Sequence, residues 1–409
     1  MPLRRNIPFR LYWISETISD IGSGVSMVVF PLLAVVLLHA TTFQVGLLVA
    51  AENIGWLLIG LPAGALVERW DKRRVLIYSE LFCGVTTVSV PVSYAFGVLT
   101  FTQLVAVAGV VGTVRVLSSI TIQAFLPAVV PPDQLVESNG RIQITGSAAG
   151  VLGPGLGGLF VQFWTAAGAV AIDAASFFVS ALTLSQISAL PQQARSGDRH
   201  RLDLRRQIAE GLRFVFGTPR FRWLTLYGVQ WNLMVATQET LVIPFLVRVL
   251  HVRSGAIGFL LATAAIGGIL GGMISGGMSK RVGPGRSAII GLCIGGVSAC
   301  LIPMSTGGRG LVFFALGNFG IALGGSICGV MNGSFRQAAC PPEMLSRMAA
   351  STRVFTWGAL AVGGILGGYL GTVMGLRPAL YVAAGGLLLT PLWLILTSAR
   401  NLDFLPNPS

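Results

Sequence analysis

Of the 409 residues, 53% are hydrophobic and 11% are charged, and the mean hydropathy is +0.76. A soluble domain carries about 25% charged residues, so this composition excludes a soluble core of usable size. The formal net charge of +13 would suggest a nucleic-acid partner in a soluble chain, but the basic residues gather at every second junction between apolar stretches. No nucleic-acid partner is expected, and the partner of the surface is a lipid bilayer.

Crossing about 30 Å of hydrocarbon takes roughly 20 mostly apolar residues in a helix. With no water to satisfy backbone groups, such runs must be helical. In chain order, twelve stretches fit: Leu11 to Leu38, Phe43 to Val67, Val75 to Phe96, Phe101 to Leu126, Gly140 to Phe163, Ala166 to Ile187, Trp223 to Val247, Ala256 to Met278, Ser287 to Met304, Leu311 to Phe335, Met348 to Met374 and Ala379 to Leu396. The first has the length and flanks of a retained span rather than a cleaved signal peptide. Arg4, Arg5 and Arg10 precede span 1; Arg69, Lys72, Arg73 and Arg74 follow span 2; residues 195–222 separate spans 6 and 7; and Lys280, Arg281 and Arg286 follow span 8. The alternate loops hold only Arg248, Arg253, Arg309 and Arg377. Basic residues stay on the cytoplasmic side, so a multi-pass cell-membrane protein with both termini inside is expected.

The chain repeats itself. Gly64, Arg69 and Arg74 after span 2 recur as Gly276, Arg281 and Arg286 after span 8, and Pro131-Pro132-Asp133 before span 5 recurs as Pro341-Pro342-Glu343 before span 11. Gly157-Gly158 recurs at the same offset as Gly367-Gly368. Such duplication is the mark of a transporter built from two related halves. The expected division is 1–189 for the first six-helix bundle, 190–222 for a cytoplasmic linker, 223–400 for the second bundle and 401–409 for a tail. In the linker, Ile208, Leu212 and Val215 share one face, with Arg205, Arg206 and Arg213 alongside, as in an amphipathic helix at the membrane interface.

These motifs resemble those of the major facilitator superfamily, which implies an all-α membrane fold of twelve helices in two pseudo-symmetric six-helix bundles. The segment Gly64-Ala65-Leu66-Val67-Glu68-Arg69-Trp70-Asp71-Lys72-Arg73-Arg74 is similar to the family's cytoplasmic gate motif, with Glu68 for its aspartate and Asp71 for its second glycine. The resemblance implies that this loop braces a cytoplasmic gate against helix 11. Gly150, Gly153, Pro154, Gly157 and Gly158 in span 5 resemble the antiporter motif of drug exporters. Pro154 removes a helical hydrogen bond and the glycines permit close contact, so this span suits a bending or sliding surface. Asp173-Ala174-Ala175-Ser176-Phe177, with Glu210-Gly211-Leu212-Arg213-Phe214 and Pro219-x-x-Arg222, resembles the branch containing macrolide efflux pumps and the enterobactin exporter.

Ionisable groups inside a membrane are costly and usually face a pathway. Asp20 and Glu52 fall near mid-membrane, Glu16 lies one turn from Asp20, Asp173 and Glu239 fall nearer the outer surface, and Arg115 nearer the inner one as a counter-ion. Carboxylates so placed can take up and release protons as access alternates, the elementary act of antiport. Trp13, Trp56, Trp231 and Trp357 are candidates for lining an amphipathic cavity. An ATP-driven pump needs a Gly-x-x-x-x-Gly-Lys-Ser/Thr loop, and none occurs among 53 glycines. His39, His200 and His251 stand apart, and Cys83, Cys293, Cys300, Cys328 and Cys340 lack metal-ligand spacing. The expectation is therefore a non-enzymatic, cofactor-free and metal-free monomer that exports small amphipathic molecules in exchange for protons, with dedicated export of a siderophore or other secondary metabolite as the alternative.

Overall fold

Asn6 starts the first helix: its side chain accepts a hydrogen bond from Phe9 N at 3.0 Å and donates one to Val129 O at 2.9 Å. The computed structural model describes residues 6–63, 67, 70–131, 134–188 and 204–396. Its helices, in order, are α1 (Ile7–Leu32), α2 (Thr42–Ile59), α3 (Lys72–Ala95), α4 (Phe101–Val129), α5 (Leu135–Phe163), α6 (Ala166–Ser185), α7 (Leu204–Gly217), α8 (Pro219–Pro244), α9 (Ser254–Val282), α10 (Pro284–Ala299), α11 (Leu311–Ala339), α12 (Pro342–Val373), α13 (Leu376–Leu389) and α14 (Leu392–Leu396). No strand occurs among the described residues.

Among the described residues, ten helical segments are long and apolar enough to cross a membrane: those of α1 to α6, α9, α11, α12, and α13 continued to Ile395. Two of the twelve expected spans are helices that fall short. Helix α10 has 16 residues, under the roughly 20 a span needs. Helix α8 has 26 residues but carries Arg222, Gln230, Asn232, Gln238 and Glu239, which dilute its hydropathy.

The chain divides into two compact units. One comprises Met1–Ala40, Ala51–Leu204 and Ser254–Gly258; the other Thr41–Ala50, Arg205–Arg253 and Phe259–Ser409. In the first unit, α1 packs on α5 and α6, and α3 packs on α4 and α6. In the second, α8 packs on α12 and α13, and α10 packs on α11 and α13. The same pairing scheme thus recurs with the same helix order.

A local repeat is sharper still. Helix α1 runs into a π turn at Leu33–Leu37, and α8 into one at Phe245–Val249. Leu38 N bonds Leu33 O at 3.1 Å and Ala40 N bonds Ala34 O at 2.8 Å; Leu250 N bonds Phe245 O at 3.1 Å and Val252 N bonds Leu246 O at 2.9 Å. Each π turn is followed by a histidine in the left-handed region, His39 at φ 49° and His251 at φ 51°. That region is uncommon for a residue with a Cβ, so the two histidines mark a specified chain reversal.

Helix packing without water depends on close backbone approach. A Cβ on Gly153 of α5 would lie 2.6 Å from Gly24 Cα of α1, so only glycine permits that contact. In the second unit, the linker helix α7 lies along α12: Glu210 pairs with Arg347 at 2.7 Å, Val215 is fully buried, and Phe216 meets Phe355 edge-on at 5.1 Å.

Candidate functional site

Helices α1, α3, α4 and α6 bring a group of charged side chains into the membrane-spanning part of the first unit. Helix α1 contributes Glu16 and Asp20, α3 contributes Glu80, α4 contributes Arg115 and α6 contributes Asp173. Glu16 lies in the field of Asp20, Glu80 and Arg115, and Glu80 in that of Arg115 and Asp173. Arg115 also acts on Asp20 and Asp173. It is itself exposed and makes no direct ion pair among the described residues.

Serines hold two of the acids. Ser19 Oγ donates to Glu80, 3.2 Å and 3.3 Å from its carboxylate oxygens. Ser26 Oγ donates to Asp173 Oδ2, and Ser176 Oγ lies 3.4 Å from Asp173 Oδ1 and 2.8 Å from its carbonyl. Asp173 is 3% exposed, and a buried carboxylate of this kind needs such partners. Gly22 makes room for it, because a Cβ there would lie 2.7 Å from Asp173 Oδ1. Asp20 faces α5, where a Cβ on Gly146 would stand 3.6 Å from Asp20 Oδ2. Ser15 Oγ and Ser180 Oγ, 2.7 Å apart, add a further polar bridge between α1 and α6.

The remaining candidates lie elsewhere. Glu52 is half-buried on α2, its backbone against Gly112 of α4. Glu239 belongs to α8 of the second unit, where its side chain is exposed. Gly64, Glu68 and Arg69 of the gate motif lie outside the described residues. Asp71 caps α3, accepting from Arg73 N at 3.0 Å and Arg74 N at 3.3 Å. Arg73 Nη2 donates to Ser185 O at 2.5 Å and so ties the start of α3 to the end of α6. Arg74 approaches Asp71 at 3.5 Å on the exposed surface. Within the antiporter motif, Gly153 and Gly157 pack on Gly24 and Val25 of α1, while Gly158 meets Ser254 and Gly258. Gly150 is half-buried and Pro154 buried in α5.

Glu80 escaped the sequence reading. It sits in an apolar span close behind the basic loop, and an acid in such a span was the available signal. Among the described residues, no three His, Cys, Asp or Glu side chains are grouped to hold a metal ion.

Known proteins resemble this chain along nearly its whole length. Residues 1–406 match a family profile described as transmembrane secretion effector. The chain is 24% identical over 421 aligned positions to the enterobactin exporter EntS of Escherichia coli, covering 99% of this chain and 95% of that one. Its fold is similar to that of the nucleoside transporter NupG, with a TM-score of 0.79 at 11% identity over 96% of this chain and 99% of NupG. It is likewise similar to a bacterial homologue of the iron transporter ferroportin in an inward-facing state, with a TM-score of 0.74 at 17% identity over 97% and 99% of the two chains. The helical membrane fold, the whole-length family match and the relatives agree: the chain belongs to the transmembrane secretion effector family of the major facilitator superfamily, a multi-pass membrane transporter and not an enzyme.

Proposed function

We propose that this transporter exports a small amphipathic molecule by alternating access, in exchange for protons. The observation that carries the reading is that Glu16, Asp20, Glu80 and Asp173, on α1, α3 and α6, all lie in the field of one guanidinium, that of Arg115 on α4, among the described residues. Carboxylates in a membrane interior have few roles beyond pairing and proton transfer, and one guanidinium balances one carboxylate. The charge of the cluster is therefore set by the protons it holds. Glu52 and Glu239 are secondary proton carriers in this scheme. The whole-length similarity to an enterobactin exporter supports a siderophore or other secondary metabolite as cargo over a broad range of drugs. Twelve spans make two six-helix bundles, with α8 and α10 completing the set, both termini are cytoplasmic and the working unit is a monomer. Residues 64–74 brace the cytoplasmic gate, and the glycines and Pro154 of α5 form the surface along which helices shift.

The test is flux in liposomes. Purified protein, with enterobactin outside and an acid interior, is expected to accumulate the compound inside as protons leave, and a protonophore should abolish the accumulation. Asp20→Asn keeps size and hydrogen bonding but cannot cycle a proton, so it should equilibrate cargo without accumulating it. Uphill transport by Asp20→Asn at the wild-type rate and with unchanged pH dependence would transfer the role to Glu52.

A further inference from the structure

The second unit carries charges that the proton chemistry does not use. Arg353 lies on α12, six residues past Arg347, where the membrane-spanning stretch begins. At 1.5 Å per residue this is roughly 9 Å into the span. Arg336 lies in the last turn of α11, within electrostatic reach of Arg353 and Tyr227. Both are half-buried, and neither makes a side-chain hydrogen bond or ion pair with any described residue.

The acids of this unit do not answer them. Glu210 is held by Arg347 at 2.7 Å. Glu239 stands twelve residues along α8 from Tyr227, roughly 18 Å by helix rise. The side chains of Glu343 and Asp403 lie outside the described residues. Arg336 by itself has a plain role, since a cation in the last turn of a helix interacts favourably with the dipole. Arg353 has no such excuse, because it lies mid-helix with a like charge in its field.

A planar guanidinium pairs with carboxylate oxygens two at a time, so two arginines within each other's field and without an acid partner suit an anion.

We infer that Arg353, with Arg336, forms the cargo-recognition site for an anionic group, such as a carboxylate. This deepens the export reading and rests on it, naming the chemical class of the cargo. Binding to protein in nanodiscs, with no gradient present, tests it apart from direction and coupling. The probes are 2-naphthoate, 2-naphthamide and 2-naphthylmethylammonium, which share a ring and differ in charge.

Wild-type protein is expected to bind 2-naphthoate at least tenfold more tightly than either counterpart. Arg353→Gln should lower 2-naphthoate affinity tenfold or more and leave 2-naphthamide unchanged, and Arg353→Lys should recover part of the loss. Arg309→Gln, on the exposed turn before α11, should change nothing. Gel filtration of each variant reports folding, and the wild-type charge preference stands as a test without any variant. Equal binding of the three probes, a preference for the cation, or no detectable binding of any of them would overturn the assignment. Loss of liposome export with the 2-naphthoate preference intact would instead overturn the transport reading alone.

Discussion

Gly153→Ala puts the helix contact of the antiporter motif to the test. The added Cβ would lie 2.6 Å from Gly24 Cα and 2.7 Å from Gly24 C, both backbone atoms that cannot turn aside. Carbon atoms in contact stand about 3.5 Å apart, so α1 and α5 must separate by about 1 Å. Overpacking of this kind costs about 1–3 kcal/mol, and alanine returns up to about 1 kcal/mol through its helix propensity. The net destabilisation is up to about 3 kcal/mol, and each kcal/mol lowers the Tm of a unit of this size by about 2–4 °C. Thermal unfolding of purified protein in detergent measures it. Gly140→Ala is the control, because it lies on the same helix with nothing within 4 Å of the new atom; its Tm should hold or rise. Equal Tm values for the two variants would refute the packing argument, and normal transport by Gly153→Ala would remove the contact from the mechanism.

Asp71→Ala should cost about 1 kcal/mol through loss of the α3 cap, whereas Asp71→Asn, which keeps an acceptor for Arg73 N and Arg74 N, should leave Tm near wild type. The Glu210–Arg347 pair is short at 2.7 Å but partly exposed, with side chains 39% and 28% accessible. A double-mutant cycle of alanine substitutions should return a coupling of at most about 1 kcal/mol; a value of about 3 kcal/mol would show the linker helix to be held by that pair. Single cysteines at positions 72, 197 and 284, in a background lacking the five native cysteines, should be shielded from impermeant thiol reagents in intact cells, while one at 308 should react. Labelling at 197 from outside would reverse the proposed orientation.

Length and apolarity made the helices legible, since both are local properties of the chain. The exceptions have local causes too: α10 ends after 16 residues, and the polar residues of α8 dilute its signal. Asp173 was legible because an acid stood in an otherwise apolar run. Its partners were not, for nothing in the sequence says that Ser26 on α1 and Ser176 on its own helix turn toward it. Asp71 was read as a departure from the gate motif, yet it is an N-cap, a role that any loop-to-helix junction offers an aspartate. The histidines at 39 and 251 looked isolated, and their kinship emerges only from the matching π turns and left-handed backbone. Arg336 and Arg353 were not singled out in the sequence, because what sets them apart is a lack of side-chain partners, which only the fold shows.

The two units divide the charge inside the membrane unequally. Four acids and one arginine collect in the first; in the second, two arginines stand apart from the exposed Glu239. If protons are handled by the acids and the anionic cargo group by Arg353, each function can be removed alone. Asp20→Asn should keep the tenfold preference for 2-naphthoate over 2-naphthamide and lose the response of flux to ΔpH. Arg353→Gln should lose the preference and keep the response to ΔpH for any cargo it still carries. Coupling requires that cargo and proton occupancy bias the same conformational equilibrium, and the free energy between them is reciprocal. Wild-type affinity for 2-naphthoate should therefore depend on pH, and that dependence should vanish in Asp20→Asn. Measured by titration at several pH values in nanodiscs, pH dependence that survives in Asp20→Asn would show that Asp20 is not the group through which protons reach the cargo site.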